Sequence, residues 1–100
     1  MTLFAPSFIY EDRAEAAIRA ASAKWNNVEE IVAAIEWAII RDPAIGPVVN
    51  ERGLRGFVYP GARSLKEPDV DVLYEEKPPD YLIVHDLIFG DAKAHYAGRA

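Results

Sequence analysis

The most apolar stretch of the chain is Tyr81–Phe89, which reads Y-L-I-V-H-D-L-I-F. Only His85 and Asp86 interrupt its large apolar side chains, and the run lies between Pro78-Pro79-Asp80 and Gly90. A short apolar run rich in β-branched and aromatic residues, bounded by proline and glycine, is typical of a strand that is buried on both faces. The pattern therefore predicts a central strand in a sheet that other elements cover.

A first helix is predicted from about Glu11 to Trp25, because apolar residues recur there at the spacing of one helix face. Acidic side chains near its start would stabilise the helix, because they interact favourably with the positive end of the helix dipole. The apolar positions of this face are Ala14, Ile18, Ala21 and Trp25. Asn26-Asn27 then interrupts the pattern, so the first helix should end there.

A second helix is predicted from about Val28 to Arg41. Asn27, followed three residues later by Glu30, resembles a capping box that would begin this helix. The helix should stop before Asp42-Pro43, because the residue preceding a proline avoids the helical region.

The second helix carries apolar residues on two sides. The main stripe consists of Val28, Ile31, Val32, Ile35 and Ile39, and a lesser stripe on the opposite side consists of Ala33, Trp37 and Ile40. We expect the main stripe to cover the sheet. Either the first helix folds back over the lesser stripe, or that stripe binds a partner protein.

Three further segments have the composition of strands. Leu3–Tyr10 contains Pro6, so it is either an edge strand or a lead-in that covers the core. Leu54–Tyr59 ends at Pro60-Gly61, and in Val70–Glu75 apolar residues alternate with others. Short links join the last three strands, which predicts an antiparallel meander.

Together these elements predict an α+β fold: an N-terminal helical hairpin packed on a three- to four-stranded antiparallel sheet. One hundred residues suffice for a single domain spanning 1–100. The hairpin covers one sheet face, so the other face should be only partly covered. That face is where we expect function.

Composition narrows the function classes. The chain has no cysteine, which excludes disulfides, thiolate metal sites and cysteine nucleophiles. No apolar run approaches the ~20 residues that a membrane span requires, so we expect a soluble, cytoplasmic protein without a membrane partner. Phosphate-binding loops, dinucleotide-binding glycines and metalloprotease motifs are missing, which argues against a nucleotide or metal cofactor. Asp91 and His95 alone would not make a zinc site.

The net charge of −5 disfavours general binding of polyanions. Residues 51–66 are the exception, since they hold four basic residues against Glu51 alone. The four basic residues are Arg52, Arg55, Arg63 and Lys66. They form either a small phosphate-binding patch or ordinary surface that pairs with the acidic segment 67–76.

The order of elements, the D-P-x-x-G link of Asp42, Pro43 and Gly46, and the run V-D-V-L-Y-E…Y-L-I-V-H resemble the RelE/ParE superfamily. Its members are the toxins of bacterial type II toxin–antitoxin pairs. The resemblance covers roughly residues 11–96. It implies either metal-independent cleavage of mRNA, often on the ribosome, or inhibition of DNA gyrase, together with a cognate antitoxin as partner.

For mRNA cleavage the resemblance implies a base, an acid and cations that stabilise the charged transition state. Substrate-binding candidates are Arg52, Arg55, Tyr59, Arg63, Lys66 and Tyr74, and proton-transfer candidates are His85, His95 and Tyr96. Histidine is the default acid or base because its ordinary pKa lies near neutrality. Arg55 and Tyr59 should share one strand face. A histidine inside an apolar strand is more often a buried or half-buried residue satisfied by a hydrogen bond, and this is the alternative to a catalytic role for His85.

The chain departs from the family at its C-terminal end. Where members commonly carry a basic cluster after the last strand, this sequence has Phe89-Gly90-Asp91 with only Lys93 nearby. The alternative interpretation is therefore a non-catalytic module of the same fold, which binds a partner or forms a homodimer.

Overall fold

The computed structural model describes residues 7–77 and 81–90. Strand β1 (Ser7–Tyr10) leads into helices α1 (Asp12–Lys24) and α2 (Val28–Arg41), and β2 (Arg55–Tyr59) follows after a loop. A 3₁₀ turn (Arg63–Leu65) separates β2 from β3 (Asp69–Lys77), and β4 (Tyr81–Gly90) closes the described part of the chain. The predicted order of elements, a helical hairpin before a meander, is thereby confirmed.

The strands form one sheet in the order β1-β4-β3-β2. Strands β2, β3 and β4 pair antiparallel, as predicted for the meander. Strand β1 adds to the free edge of β4 in the parallel direction, so the four-stranded sheet is mixed rather than purely antiparallel. Of the two interpretations of Leu3–Tyr10, residues 7–10 form the edge strand, while 3–6 lie outside the described residues.

Both helices pack against one face of the sheet, which we call the helix face. Helix α2 contributes the predicted apolar stripe through Ile31, Ile35 and Ile39, and α1 contributes Ala14. The sheet side of the core consists of Val70, Val72, Tyr74, Leu82, Val84 and Leu87. All of these residues are at least 97% buried, and burial of this apolar surface is the main stabilising term for so small a domain.

The connection between the helices differs from the predicted capping box. Asn27 has a left-handed backbone (φ 63°, ψ 23°), and its side chain makes no hydrogen bond to the start of α2. A capping side chain requires an extended backbone at the cap position, which would place its oxygen near the first helical N–H groups. Asn27 instead supplies the sharp reversal between α1 and α2, because asparagine tolerates the left-handed region better than most residues.

A β-bulge interrupts β4 where the two polar residues stand. Leu73 pairs with Asp86, but its neighbour Tyr74 pairs with Val84, so His85 is the extra residue. Simple alternation along the strand predicts that His85 lies on the same side as Tyr81, Ile83, Leu87 and Phe89, and for Leu87 and Phe89 this prediction is wrong. The bulge reverses the alternation, so Leu87 and Phe89 lie opposite Val72 and Val70 of the helix face.

Candidate functional site

The side of the sheet opposite the helices, here called the open face, carries a cavity lined mainly by apolar side chains. It occupies about 520 Å³ between the loop that precedes β2 and strands β2, β3 and β4. Its apolar lining includes Pro47, Val49, Val58, Leu73 and Ile88. This volume lies within the ~300–1,000 Å³ range of typical ligand pockets. The open face, which the sequence predicts to be only partly covered, therefore carries a candidate binding site.

The loop wall of this cavity is held in place by main-chain hydrogen bonds. The N–H of Gly56 donates to Pro47 O (3.1 Å), and the N–H of Val49 donates to Leu54 O (2.7 Å). A side chain at Gly46 would meet the backbone of β2, since its Cβ would lie 2.9 Å from Gly56 O. The loop thus lies tightly along the outer edge of β2, which leaves the cavity with a preformed wall.

Two carboxylates stand among the apolar side chains of the cavity. Asp71 pairs across the sheet with Ile88 and with Val58, and Asp86 pairs with Leu73. Both aspartates are only half-buried. They lie on adjacent strands, diagonal to one another, so the cavity combines apolar walls with negative charge.

Asp86 is held by its own strand and by α1. Its Oδ1 accepts a hydrogen bond from the N–H of Leu87 (2.9 Å), and its Oδ2 lies 3.8 Å from Nη1 of Arg13. The side chain of Arg13 is 78% exposed. An ion pair so long and so exposed contributes little to stability. Arg13 therefore neutralises the charge of Asp86 only weakly.

His85 forms a bridge between two further carboxylates. Its Nδ1 lies 2.7 Å from Oε1 of Glu11 and its Nε2 lies 3.0 Å from Oε1 of Glu75. Burial alone would lower the pKa of His85, but the hydrogen bonds and the charges of Glu75 and Glu11 outweigh it and raise that pKa. Hydrogen bonds from His85 and Lys77 lower the pKa of Glu75. The two carboxylates therefore favour the protonated, imidazolium form of His85.

A second recess of about 450 Å³ surrounds this bridge. It shares Leu73 and Asp86 with the apolar cavity, so the two recesses adjoin on the open face. The remaining lining residues are Glu11, Asp12, Arg13, Leu54 and His85. Acidic side chains thus outnumber basic ones where the two recesses meet.

The predicted phosphate-binding residues are not gathered on the open face. Arg55 and Tyr59 do share a strand face, as predicted, but they pair with Tyr74 and Val70 of the helix face. The guanidinium of Arg55 donates from Nε to Glu76 Oε1 (3.2 Å) and from Nη1 to Gly46 O (2.9 Å). These contacts give Arg55 a structural role beside the loop that follows α2.

Tyr74 also belongs to the helix side of the sheet. Its side chain is fully buried, and its hydroxyl bonds with the backbone of Pro43 and Gly46. Burial raises the pKa of Tyr74, and the hydrogen bond from Gly46 N–H only partly opposes this. A phenol so enclosed holds its proton and has no surface for a substrate.

The remaining basic residues lie in two separate loops. Arg52 is exposed before β2, whereas Lys66 is exposed after it, with a left-handed backbone (φ 56°). The backbone of Arg63 lies in the 3₁₀ turn near Lys66. Because β2 separates the two loops by five residues, or roughly 16 Å, they do not form one patch. His95 and Tyr96 lie outside the described residues.

The lesser stripe of α2 is exposed. The indole of Trp37 is 59% exposed, Ala33 is exposed and Ile40 is half-buried. Helix α1 therefore does not cover this side of α2, so the first interpretation is wrong, and binding of a partner protein stays a prediction. On the flank of α2, Glu36 accepts a hydrogen bond from the hydroxyl of Tyr10 in β1. Burial and this carboxylate raise the pKa of Tyr10.

Sequence reasoning missed the carboxylates of the open face. Glu11 appeared as a helix-start residue and Glu75 as a member of an acidic run, with nothing to connect them. The one available signal was the His85-Asp86 pair inside an apolar strand, because polar residues there require partners.

Comparison with protein-family models, with curated proteins and with solved structures found no match. Neither helix in residues 7–77 is long and apolar enough to span a membrane. Within the described residues, no three or more histidine, aspartate or glutamate side chains are arranged to hold a metal ion.

Proposed function

We propose that the chain is the toxin of a type II toxin–antitoxin pair of RelE/ParE type, acting in the cytoplasm. The observation that supports this is the layout of two helices over one face of a β-meander, with a preformed cavity on the other face. A fold of this kind is compatible with several functions, so the proposal also depends on the surfaces that the fold leaves exposed.

The antitoxin contacts the exposed stripe of α2. Trp37 and Ile40 present apolar surface next to Ala33, whose small side chain allows close approach of a partner. An amphipathic antitoxin helix laid along this stripe would bury the indole of Trp37, and large aromatic side chains dominate binding energy at protein interfaces. This assignment leaves the open face free for the target.

Of the two activities that the resemblance implies, the side chains favour a protein target over RNA. Asp71, Asp86, Glu75 and Glu11 lie on the open face, whereas Arg55 faces the other side and is bound to Glu76 and Gly46. Negative charge at a cleft repels a phosphate backbone, and phosphate contacts supply most of the affinity for nucleic acids. Gyrase inhibition, or another protein-directed action, fits this charge better.

Metal-independent mRNA cleavage is the second candidate, and His85 is the observation that favours it. Glu11 and Glu75 favour the protonated form of His85 and fix the orientation of its ring. If a substrate displaced one of the two carboxylates, the freed N–H would donate the proton that a leaving oxygen requires. No cofactor enters either candidate. On this view His95 or Tyr96 would supply the remaining proton transfer.

The test is induced expression from a tightly repressed promoter in a bacterial host. Growth arrest supports a toxin, whereas unimpaired growth at confirmed soluble expression removes the proposal and leaves the non-catalytic or dimeric module. Total RNA and a DNA-damage reporter are measured in the same cultures. We expect intact mRNA with induced DNA damage for a gyrase-directed toxin, and mRNA loss that His85→Gln abolishes for a ribonuclease.

A further inference from the structure

Four exposed residues of α2 form one row along the helix, because spacings of three and four residues keep side chains on the same side of an α-helix. The row consists of Glu30, Ala33, Trp37 and Arg41. It begins with a carboxylate in the first turn of α2 and ends with a guanidinium in the last turn. The indole of Trp37, which is 59% exposed, lies between them. The row therefore combines an apolar centre with opposite charges at its two ends.

Neither terminal charge of the row is used within the described part of the chain. Glu30 and Arg41 make no ion pair and no side-chain hydrogen bond with another described residue. Their positions also suit the dipole of α2 itself, so the charges alone do not require a partner. Trp37 between them indicates one, because large aromatic side chains are enriched at protein interfaces and dominate their binding energy.

Taking the chain to be a toxin of the proposed type, we propose that the antitoxin segment bound to α2 is an amphipathic helix that runs antiparallel to α2. This bound helix carries acidic residues in its first turn and basic residues in its last turn. Its apolar side covers the indole of Trp37.

Charge complementarity sets the direction of the bound helix. In an antiparallel complex its C-terminal end lies beside Glu30 and its N-terminal end lies beside Arg41. Basic residues are favourable at the C-terminal end of a helix and acidic residues at the N-terminal end, so each end of the bound helix meets an opposite charge. A parallel helix of the same composition would bring like charges together at both ends, which is unfavourable at an interface.

The spacing of the row sets the length and the side chains of the bound helix. Glu30 and Arg41 lie about 16 Å apart along the axis of α2, so the bound helix needs roughly three turns to reach both. Large and small side chains alternate across well-packed contacts. A large apolar residue therefore fits above Ala33, and a small residue leaves room for the indole of Trp37. From its N-terminus, the bound helix presents an acidic, a small, a large apolar and a basic residue on one side.

The test uses two capped helical peptides of about four turns with the same apolar stripe. One has glutamates in the first turn and lysines in the last turn, and the other has these residues exchanged. Binding to the ¹⁵N-labelled full chain is followed by the amide signals of α2 and the indole N–H signal of Trp37. We expect the glutamate-first peptide to bind about fivefold more tightly, as for two exposed ion pairs, with a difference that falls as salt rises.

Variants of the chain separate this preference from the different helicity of the two peptides. Glu30→Lys/Arg41→Glu exchanges the two charges at constant net charge, and it should shift the ratio of affinities towards the lysine-first peptide. Glu30→Gln/Arg41→Gln, which reverses no charge at the ends of α2, should shift the ratio about half as far. Glu15→Lys/Arg19→Glu makes the same exchange at exposed positions on α1 and should leave the ratio unchanged. Circular dichroism verifies that each variant folds.

A nitroxide label at the N-terminus of the glutamate-first peptide reports the direction of the bound helix. It should broaden the amide signal of Arg41 more than that of Glu30. Stronger broadening at Glu30 would overturn the antiparallel arrangement. The same ratio of affinities in the parent and in both α2 variants, or chemical-shift changes confined to the open face, would also overturn it.

Induced expression reports separately on the toxin. Growth arrest without a charge-dependent ratio of peptide affinities removes only the antiparallel helix. A charge-dependent ratio in a chain that does not impair growth removes the toxin assignment and leaves α2 as the binding site of such a helix.

Discussion

The hydroxyl of Tyr74 donates a 2.6 Å hydrogen bond to the carbonyl oxygen of Pro43. The same hydroxyl accepts a 3.2 Å hydrogen bond from the N–H of Gly46. A single buried phenol in β3 thus binds the loop that leaves α2 and lines up this loop with β2. Because the same loop forms the wall of the open-face cavity, Tyr74 couples the core of the protein to its candidate site from the opposite side of the sheet.

Tyr74→Phe should lower the free energy of unfolding by about 1–2 kcal/mol, because it leaves the buried N–H of Gly46 and the part-buried carbonyl of Pro43 without this partner. Urea denaturation followed by circular dichroism measures the change. Tyr59→Phe is the matched control, since Tyr59 is half-buried one strand away and its hydroxyl makes no hydrogen bond within the described residues. Equal effects of the two substitutions would contradict the role of the Tyr74 hydroxyl.

The bridge of His85 to Glu11 and Glu75 predicts a pH dependence of stability. The pKa of His85 is raised above its ordinary 6.5, so its contribution is complete below about pH 6.5 and is lost as the pH rises through the raised value. The pKa of Glu75 is lowered from 4.5, so its contribution is present above about pH 4.5 and is lost as the pH falls through the lowered value. The bridge therefore stabilises most between these limits.

We expect His85→Gln to cost about 1 kcal/mol at pH 5.5, as for a partly buried ion pair, and clearly less at pH 9. The measurement is the difference in unfolding free energy between the parent chain and the variant at each pH. An NMR titration of the imidazole tests the cause directly. A pKa for His85 at or below 6.5 in the folded protein would refute the bridge as an imidazolium.

Truncation of the two tryptophans should change the stability of the chain to very different extents. Trp25 is half-buried and its ring stacks on Phe89 with centroids 6.4 Å apart, whereas Trp37 is 59% exposed. We expect Trp25→Ala to destabilise the chain by about 2 kcal/mol, since it removes aromatic packing from the core edge. Trp37→Ala should change stability by less than about 0.5 kcal/mol.

If the exposed stripe of α2 binds the antitoxin, Trp37→Ala should nevertheless weaken that complex, by an order of magnitude or more in Kd. A stable Trp37→Ala protein that is neutralised as well as its parent would exclude α2 as the antitoxin surface. Thermal unfolding and titration with the antitoxin provide the two measurements.

Much of the fold follows from periodicity in the sequence. Spacings of three and four residues marked α1 and α2, segments ending at proline or glycine marked β2 and β4, and alternation marked β3. Such patterns extend over many residues, so a single unusual position does not hide them. It was harder to predict which face of the sheet each strand residue occupies. Alternation places Arg55 and Tyr59 together, but it does not say which of the two faces meets the helices.

The candidate site depends on features that leave little trace in sequence. The extra residue at the bulge places His85 on the other side of the strand from Leu87 and Phe89. The amino-acid composition of the strand does not indicate that a bulge occurs there. Glu11 and His85 are 74 residues apart, and they meet only because β1 adds to β4 in a parallel register. The left-handed backbone of Asn27 similarly replaced a cap that the residue types alone favoured.

Gly46 should be more sensitive to substitution than Gly53. A Cβ at Gly46 would lie 2.9 Å from the backbone oxygen of Gly56, whereas Gly53 has open space around it but a positive φ of 85°. We expect Gly46→Ala to cost more than about 2 kcal/mol, because two backbones must separate, and Gly53→Ala to cost about 1 kcal/mol. Chemical denaturation of both variants gives the comparison, and a tolerated Gly46→Ala would show that the loop can move away from β2.

A double-mutant cycle on Arg55 and Glu76 separates a structural from a substrate-binding role. The guanidinium of Arg55 lies 3.2 Å from Glu76, and the two side chains are 24% and 40% exposed. Each single substitution to glutamine should destabilise the chain, with a coupling energy of about 0.5–1 kcal/mol between them. If Arg55 instead bound phosphates, Arg55→Gln would weaken RNA binding while its effect on stability would not depend on Glu76. A coupling energy of zero together with lost RNA binding would therefore restore Arg55 to the substrate site, and measurable coupling with unchanged RNA binding would assign it to the loop that follows α2.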